Sequence, residues 1–275
     1  ARKEPMGWQC CGFDDNEWKA SVYTAPIGIL HENTAPPIKE CKVVKPIAVK
    51  TLENGRVLYD FGVNMSGFVR LCGKGCEGTE VIFRYGELTD EKGNLDVRQI
   101  ASLVRSGDFQ TDRYIFGNHE ANGWSPSFTY HGFRYIEVEI RGEADLQLEA
   151  VFVHSDLRRI ASFRCSEDYL NRLDRIVERS DLSNFVGIPT DCPQREKNGW
   201  LSEGWLAMER ILFNYDAAKA YEKWLVDMCD AMRPNGQLPC VAPNPGWGYN
   251  WGNGVTYDYA LLVTAFCIYE DNGDR

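Results

Sequence analysis

Hydrophobic and polar residues alternate with a period of two from Cys41 to about His154. Ile136, Val138 and Ile140 occupy alternate positions, and the same pattern returns after Gly142. Alternation of this kind is typical of strands that bury one face. Further short strands are predicted between turn residues, at Val57–Phe61, Gly67–Cys72, Thr79–Tyr85 and Asp112–Phe116. Many short strands with regular turns predict a jelly-roll-like β-sandwich.

A helical period replaces this alternation at Ser166, which is the predicted N-cap of a helix with acidic residues in its first turn. Further helices are predicted at Trp200–Tyr215, Ala217–Met232 and Val255–Tyr269. The last is apolar on nearly all sides and is expected to be buried on several of them. Successive helices without intervening strands favour an all-α α/α toroid, and a small free-standing helical bundle is the alternative.

These patterns divide the chain into four parts. Residues 1–40 end in the stiff segment Ala35-Pro-Pro-Ile38, which is interpreted as a linker. Residues 41–155 are the predicted β-sandwich, and residues 156–165 a second linker. Residues 166–275 are the predicted helical domain.

Composition narrows the classes of partner. The chain of 275 residues has a net charge of −10 and a pI near 5.0, which argues against nucleic acid and against an anionic membrane surface. The longest apolar run, Tyr259 to Tyr269, is too short to span a bilayer. No hydrophobic stretch follows Ala1-Arg-Lys-Glu-Pro, so no signal peptide is predicted. The cellular compartment remains open.

Cysteine and histidine spacings do not indicate a metal site. The ten cysteines form no framework and are interpreted as mostly reduced, although Cys72 and Cys76 flank a turn where a disulfide or metal is an alternative. The four histidines, at positions 31, 119, 131 and 154, have no ligand-like spacing. We therefore expect neither a metal nor an organic cofactor.

The segment from Asp191 to Glu203 is the richest in candidate chemistry. Asp191, Glu196 and Glu203 share it with Arg195 and Trp200. Carboxylates can transfer protons and bind hydroxyl groups, and the apolar face of a sugar stacks on an indole. A pocket that binds a sugar and protonates its leaving oxygen is one interpretation. A polar loop before a helix is the other.

The same segment carries a family resemblance. Ile188-Pro-Thr-Asp-Cys-Pro-Gln-Arg-Glu-Lys-Asn-Gly-Trp200 resembles the signature of the bacterial α-L-rhamnosidases, glycoside hydrolase family 78. Other segments also resemble the family, and they occur in the family's order over nearly the whole chain: Gly12–Trp18, Tyr59–Arg70, Phe128–Tyr135, Arg233–Pro239 and Gly246–Gly254. The resemblance implies that residues 1–40 contain the tail of an N-terminal β-sandwich, and that a second β-sandwich and a toroid of six helical hairpins follow it. Only about four helices are visible, so we expect the chain to be cut inside its catalytic domain.

The resemblance also implies a reaction and roles for residues. The implied reaction is inverting hydrolysis that releases terminal α-L-rhamnose from an oligosaccharide or glycoside. Glu196 matches the general acid, and an ordinary acid in the first turn of a helix is the alternative. Asp191 matches an acid that holds sugar hydroxyls and Arg195 the neighbouring guanidinium, with a structural ion pair that braces the loop as the alternative. Trp200 matches the aromatic wall of the pocket, with a place in the helical core as the alternative. The general base is expected beyond Arg275, and the oligomeric state is left open.

Glu203 departs from the family pattern, which commonly has Asp at that place. The longer side chain predicts a rearranged pocket or altered activity, with Trp205 as a contributor. Another glycosidase on the same toroid and a catalytically inactive carbohydrate-binding homologue are therefore the alternatives.

A glycine-rich loop and two sandwich residues complete the candidates. Trp247 and Trp251 lie on this loop and predict a surface on which sugar stacks, with packing against a helix as the alternative. Asp258 follows in the next helix and is a further candidate to face the pocket. His131 and Arg134 also match the family pattern, and we interpret them as structural residues at the junction between the domains.

Overall fold

The structure is a computed structural model, and it describes residue 5 and residues 7–22, 24, 29–101, 107–250 and 254–273. Among the described residues before Ile38 there is no helix or strand. The first strand therefore begins at the end of the predicted Ala35–Ile38 connector.

Twelve strands follow in the described ranges. They are β1 (Ile38–Val44), β2 (Ala48–Thr51), β3 (Val57–Gly75), β4 (Glu80–Gly86), β5 (Leu88–Thr89), β6 (Leu95–Asp96), β7 (Thr111–Ile115), β8 (Ala121–Trp124), β9 (His131–Arg141), β10 (Ala144–Ser155), β11 (Arg158–Arg159) and β12 (Tyr215–Asp216). The helices are α1 (Arg98–Ala101), α2 (Asp168–Ser183), α3 (Leu201–Leu206), α4 (Met208–Asn214), α5 (Ala218–Ala231) and α6 (Val255–Asn272).

Eight strands form one antiparallel sheet in the order β1-β10-β3-β9-β4-β7, and β2 and β8 both pair with β3. The first residues of β3 lie between β2 and β9, and its last residues lie between β10 and β8. The long strand therefore belongs to both halves of the sheet. Side chains from both halves enter a single buried cluster, which contains Phe61, Leu71, Phe83, Ile136 and Ala150.

The two strands predicted at Val57–Phe61 and Gly67–Cys72 are one strand in the structure. Its pairing with β9 is interrupted between Asp60 and Met65. At this point Asp60 accepts the N–H of Gly62 at 2.6 Å and a two-pronged contact from Arg134 at 2.8 and 2.7 Å. These side-chain contacts stabilise a local irregularity that looked like a break between strands. Arg134 therefore stabilises β3 within the sheet, and its predicted place at the junction between the domains stays a prediction.

The helical part has its own core. Trp224 and Tyr221 of α5 are fully buried, together with Leu201 of α3, Met208 of α4 and Ala260 of α6. The indole N–H of Trp224 donates to the carbonyl of Ala242 at 2.9 Å, so its polar atom is satisfied.

Observed helix boundaries differ from the predicted ones, most clearly at the start of α2 and in the segment after Trp200. The N-cap of α2 is Glu167 rather than Ser166, and its side chain makes no capping hydrogen bond. The helix predicted at Trp200–Tyr215 is interrupted at Ala207, between α3 and α4. Gly204 lies just before this interruption, where a Cβ would come within 2.2 Å of the Trp224 ring. Close packing explains the glycine, and glycine weakens the helix.

The apolar helix α6 is buried on one face only in the described chain. Ala260, Thr264 and Cys267 face the helical core, whereas Leu262 and Phe266 are more than half exposed. The expectation of burial on several sides is therefore not met by the elements that the structure describes. None of the described helices has the length and hydropathy to cross a membrane.

The two parts of the chain are joined by backbone pairing and by packing. Strand β11, which lies inside the predicted linker 156–165, pairs with β12 between α4 and α5. Ser155 at the end of β10 donates its N–H to the carbonyl of Phe185 at 2.8 Å. Leu182 of α2 packs against both hydrophobic cores. The sheet is therefore a fixed support for the segment that follows α2, although the domain boundaries themselves stay a prediction.

Replacing Trp224 by alanine should remove the central side chain of the helical core. We expect a loss of about 3–5 kcal/mol in the free energy of unfolding, measured by denaturant titration. Val226→Ala on the exposed side of the same helix is the control and should change it by less than about 0.5 kcal/mol. Equal effects of the two variants would contradict the assignment of this core.

Candidate active site

Residues 188–200 form a closed loop between α2 and α3. The N–H of Asp191 donates to the carbonyl of Asn198 at 3.0 Å, and Lys197 donates its N–H to the carbonyl of Cys192 at 3.2 Å. The carboxylate of Asp191 also accepts the N–H of Asn198 at 3.0 Å. Asp191 therefore closes the loop with both its backbone and its side chain.

Glu196 lies inside this loop and has a fixed orientation. Its Oε2 accepts the indole N–H of Trp200 at 2.7 Å. Its Oε1 lies 3.6 Å from Nη2 of Arg195, which is too far for a good hydrogen bond. The Glu196 side chain is 16% exposed, so one carboxylate oxygen is held by Trp200 and the other is available.

Cys192 contributes to the same geometry. Its Sγ is 2.8 Å from Oδ2 of Asp191 and accepts the N–H of Glu196 at 3.3 Å. Burial is the main cause that raises the pKa of the Cys192 thiol, and the hydrogen bond to Asp191 adds to it. A neutral thiol can donate to Asp191 while its sulfur accepts from Glu196. The sequence did not single out Cys192, because its role depends on loop closure.

Trp200 forms an aromatic cluster with two residues from distant parts of the chain. Its ring lies 5.8 Å from the ring of Trp247 and 5.9 Å from that of Tyr257, measured between centroids. Trp200 is anchored by a bridge between its backbone and Val241. Trp247 is 43% exposed, so the cluster presents an aromatic surface to solvent. Trp251, also predicted to stack on sugar, lies outside the described residues.

Glu203 lies in the first turn of α3, close to the loop. Partial removal from water raises its pKa, and the neighbouring charges of Asp191 and Glu196 raise it further. Tyr257 also lies near Glu203, whose charge adds to the effect of burial in raising the pKa of the Tyr257 hydroxyl. The three predicted carboxylates therefore share one electrostatic environment.

A small cavity of about 130 Å³ lies beside these acids. Asp191 and Glu203 line it together with Asp181, Asn184 and Thr190. Its volume is below that of sites for small organic ligands, which begin at roughly 300 Å³. The cavity is a polar recess beside the loop and is too small to hold a sugar.

Two further residues singled out from the sequence, Trp205 and Asp258, do not line the aromatic cluster in the structure. Trp205 donates its indole N–H to the carbonyl of Thr256 at 2.9 Å and packs against Tyr259, so it braces α3 against α6. Asp258 is exposed, and it is its neighbour Tyr257 that reaches Trp200. Sequence reasoning missed Tyr257 because nothing in the local pattern indicates which residue of α6 meets a tryptophan over 50 positions earlier.

The described residues contain no group of three or more histidine, cysteine, aspartate or glutamate side chains arranged to hold a metal. The ten cysteines all lie within the described ranges and are free. Cys72 accepts the N–H of Gly123 at 3.2 Å through its sulfur.

The two parts of the chain each match a domain family of known proteins. Residues 50–154 match the bacterial alpha-L-rhamnosidase concanavalin-like domain, and residues 158–275 match the bacterial alpha-L-rhamnosidase 6 hairpin glycosidase domain. The chain belongs to the bacterial α-L-rhamnosidase family. The predicted order of a β-sandwich followed by the first part of a six-hairpin toroid is confirmed.

Curated α-L-rhamnosidases are similar over most of this chain. One from Formosa agariphila is 33% identical over 240 residues, which are 85% of this chain and 25% of the relative. One from Streptomyces avermitilis is 31% identical over an alignment of 282 positions, which covers the whole chain and 26% of the relative. The chain spans about a quarter of the length of these relatives.

Solved α-L-rhamnosidase structures have the same fold. The enzyme from Dictyoglumus thermophilum superposes with a TM-score of 0.88 at 34% identity, covering 96% of this chain and 30% of that one. The Streptomyces avermitilis enzyme, solved in complex with L-rhamnose, superposes with a TM-score of 0.87 at 30% identity, covering 99% and 26%.

The closing role of Asp191 can be measured apart from any activity. Asp191→Ala should lower the free energy of unfolding by about 1–2 kcal/mol, because the Asn198 N–H loses a charged acceptor. Asp191→Asn keeps an oxygen at that place and should lose less than half as much. The exposed Asp258→Ala is the control. Chemical denaturation measures all three, and an Asp191→Ala variant as stable as the parent would contradict the closing role.

Proposed function

We propose that this protein is a glycoside hydrolase that releases terminal α-L-rhamnose from oligosaccharides or glycosides with inversion of configuration. The related enzymes are α-L-rhamnosidases, which supports rhamnose as the sugar that is released. The structure of one of them was solved in complex with L-rhamnose. The observation that carries the proposal in this chain is the hydrogen bond from Trp200 to Glu196. It orients a carboxyl group beside an aromatic surface on which a sugar can stack.

Glu196 is the proposed general acid. Trp200 occupies Oε2 as a fixed donor, so the transferable proton is carried on Oε1. Arg195 lies on the Oε1 side but beyond hydrogen-bond distance, and its N–H groups can donate to a sugar hydroxyl. A proton donor of this kind typically accelerates the departure of a leaving group by 10²–10⁴-fold.

Trp200 and Trp247 are proposed to bind the apolar face of the sugar, with Tyr257 supporting the Trp200 ring. Asp191 and Glu203 are proposed to hold hydroxyl groups beside the acid. The carboxylate of Asp191 also closes the loop by accepting the N–H of Asn198. Neither acid is assigned as the base, and in an inverting enzyme the base lies roughly 6.5–9.5 Å from the acid, across the sugar.

Glu203 supports a second candidate, a homologue that binds carbohydrate without turnover. The family pattern commonly has the shorter aspartate at this position. A displacement of about 1 Å in a positioned group can lower a rate about a hundredfold. Replacement of Glu203 by aspartate discriminates between the candidates. Turnover of a rhamnoside by the parent protein, retained or increased in the variant, excludes the inactive homologue. Turnover that is present only in the variant supports it.

Glu196→Gln should reduce kcat/KM for rhamnosides of alkyl alcohols by about 10²-fold or more, because a poor leaving group depends on protonation. Nitrophenyl rhamnosides, whose leaving group needs little protonation, should lose much less. Glu209→Gln, in the exposed first turn of α4, is the matched control. Unchanged turnover of the alkyl substrates by Glu196→Gln would exclude the assignment.

The reaction itself is tested with the full-length protein and a panel of nitrophenyl glycosides. We expect α-L-rhamnoside to be hydrolysed at least about 10²-fold faster than glycosides whose hydroxyl pattern differs, because sites built to hydrogen-bond hydroxyls discriminate strongly. Proton NMR during the first minutes should show β-L-rhamnose as the first product. First formation of the α-anomer would exclude inversion, and preference for a different sugar would exclude the substrate assignment.

A further inference from the structure

Lys197 follows Glu196 directly and has an unusual backbone conformation. Its φ is +55°, in the left-handed region that residues with a Cβ rarely occupy. Such a conformation persists when surrounding contacts hold it in place. The contacts that hold the side chain of Lys197 come from the β-sandwich.

The Lys197 side chain reaches away from its own loop. Its Nζ donates to the carbonyl of Tyr130 at 2.8 Å and lies 5.0 Å from the centre of the Tyr130 ring. Burial lowers the pKa of this ammonium group, and the nearby carboxylate of Asp112 partly opposes that effect. A cation removed from water thus lies against a carbonyl dipole and an aromatic face, with the charge of Asp112 nearby.

A buried polar network fixes the backbone that receives Lys197. Asp112 Oδ2 accepts the hydroxyl of Tyr85 at 2.7 Å and lies 2.9 Å from Nε2 of His131. Gln110 lies 3.2 Å from Nδ1 of His131 and donates to the carbonyl of Gly132 at 2.7 Å. Tyr85 also stacks on the His131 ring at 4.0 Å. The start of β9 is therefore held rigidly from within the sandwich.

A second contact joins the same strand to the loop. A Cβ on Gly132 would come within 2.7 Å of both the backbone nitrogen and the Cβ of Gln194, and within 2.9 Å of the Pro193 carbonyl carbon. The backbone of β9 and the loop therefore touch without space for a side chain. Both contacts lie within three residues of Glu196 along the loop.

We infer that Lys197 is a positioning residue for proton donation, through which the β-sandwich sets the place of Glu196. The inference rests on the proposed function of Glu196 as the acid. Trp200 fixes the direction of the Glu196 carboxyl group, whereas Lys197 and the Gly132 contact fix the backbone from which it extends. Without Lys197 the carboxyl group remains present and bound to Trp200, but its backbone is no longer held against β9.

The test replaces Lys197 by methionine, which keeps the length of the side chain and removes its charge and donor. In the full-length protein, kcat/KM for alkyl rhamnosides should fall by about 10- to 100-fold, as expected for a misplaced acid. Nitrophenyl rhamnosides should lose less than about threefold, because they depend little on protonation. Lys197→Arg retains a cation and donors and should restore most of the loss. Lys74→Met, at an exposed lysine of β3, is the control.

Gly132→Ala provides a second route to the same displacement with Lys197 intact. It should show the same unequal loss between alkyl and nitrophenyl substrates, because the added methyl group pushes the loop away from β9. Thermal melts of both variants report whether the fold is retained. If Lys197→Met does not fold, the Gly132→Ala substrate ratio decides the outcome.

The outcomes separate this inference from the proposed function. Equal loss of both substrate types in folded Lys197→Met and Gly132→Ala variants would overturn the positioning role, provided that Glu196→Gln shows the unequal loss. If Glu196→Gln also lacks the unequal loss, Glu196 is not the acid and both proposals fall. An unequal loss in all three variants supports the positioning role.

Discussion

The hydrogen bond from the indole N–H of Trp200 to Glu196 is the interaction on which the arrangement of the site depends. It joins the end of the loop to its interior and sets the orientation of both side chains at once. The carboxyl group gains a fixed direction, and the indole ring gains a fixed plane against Trp247 and Tyr257. In the proposed function, a sugar that stacks on this aromatic cluster is presented to the oxygen of Glu196 that Trp200 does not hold. The proposed proton donor and the proposed binding surface are parts of a single unit.

This unit is supported from two sides, and each domain provides one of them. The helical core holds Trp200 through its bridge to Val241, close to the point where Trp224 donates to Ala242. The sandwich holds the other end of the loop through Tyr130 and Gly132. A loop of this length has many conformations available in isolation, and two fixed supports reduce that number before substrate binds. The β-sandwich is consequently a structural part of the candidate active site.

The sequence predicted the order of the domains and the loop that carries the acids, because both depend on local patterns. Period-two alternation indicated the strands, and the dense string from Asp191 to Glu203 indicated the site. What it missed depends on residues far apart in the chain. Lys197 has its partner 67 positions earlier at Tyr130, and Trp200 meets Tyr257 from another helix. The joining of two predicted strands into β3 has the same origin, since Arg134 of a distant strand stabilises the irregularity at Asp60.

Glu203 shows how the site can differ from the family pattern while the fold is retained. It lies in the first turn of α3, where an acid is favoured by the helix dipole whatever its length. Its raised pKa follows from partial burial and from the charges of Asp191 and Glu196, and these causes would act on an aspartate as well. The additional methylene therefore changes the reach of the carboxyl group more than its electrostatic setting. Because Asp191 and Glu196 are both held by hydrogen bonds within the loop, Glu203 is the acid whose position can change without disturbing them.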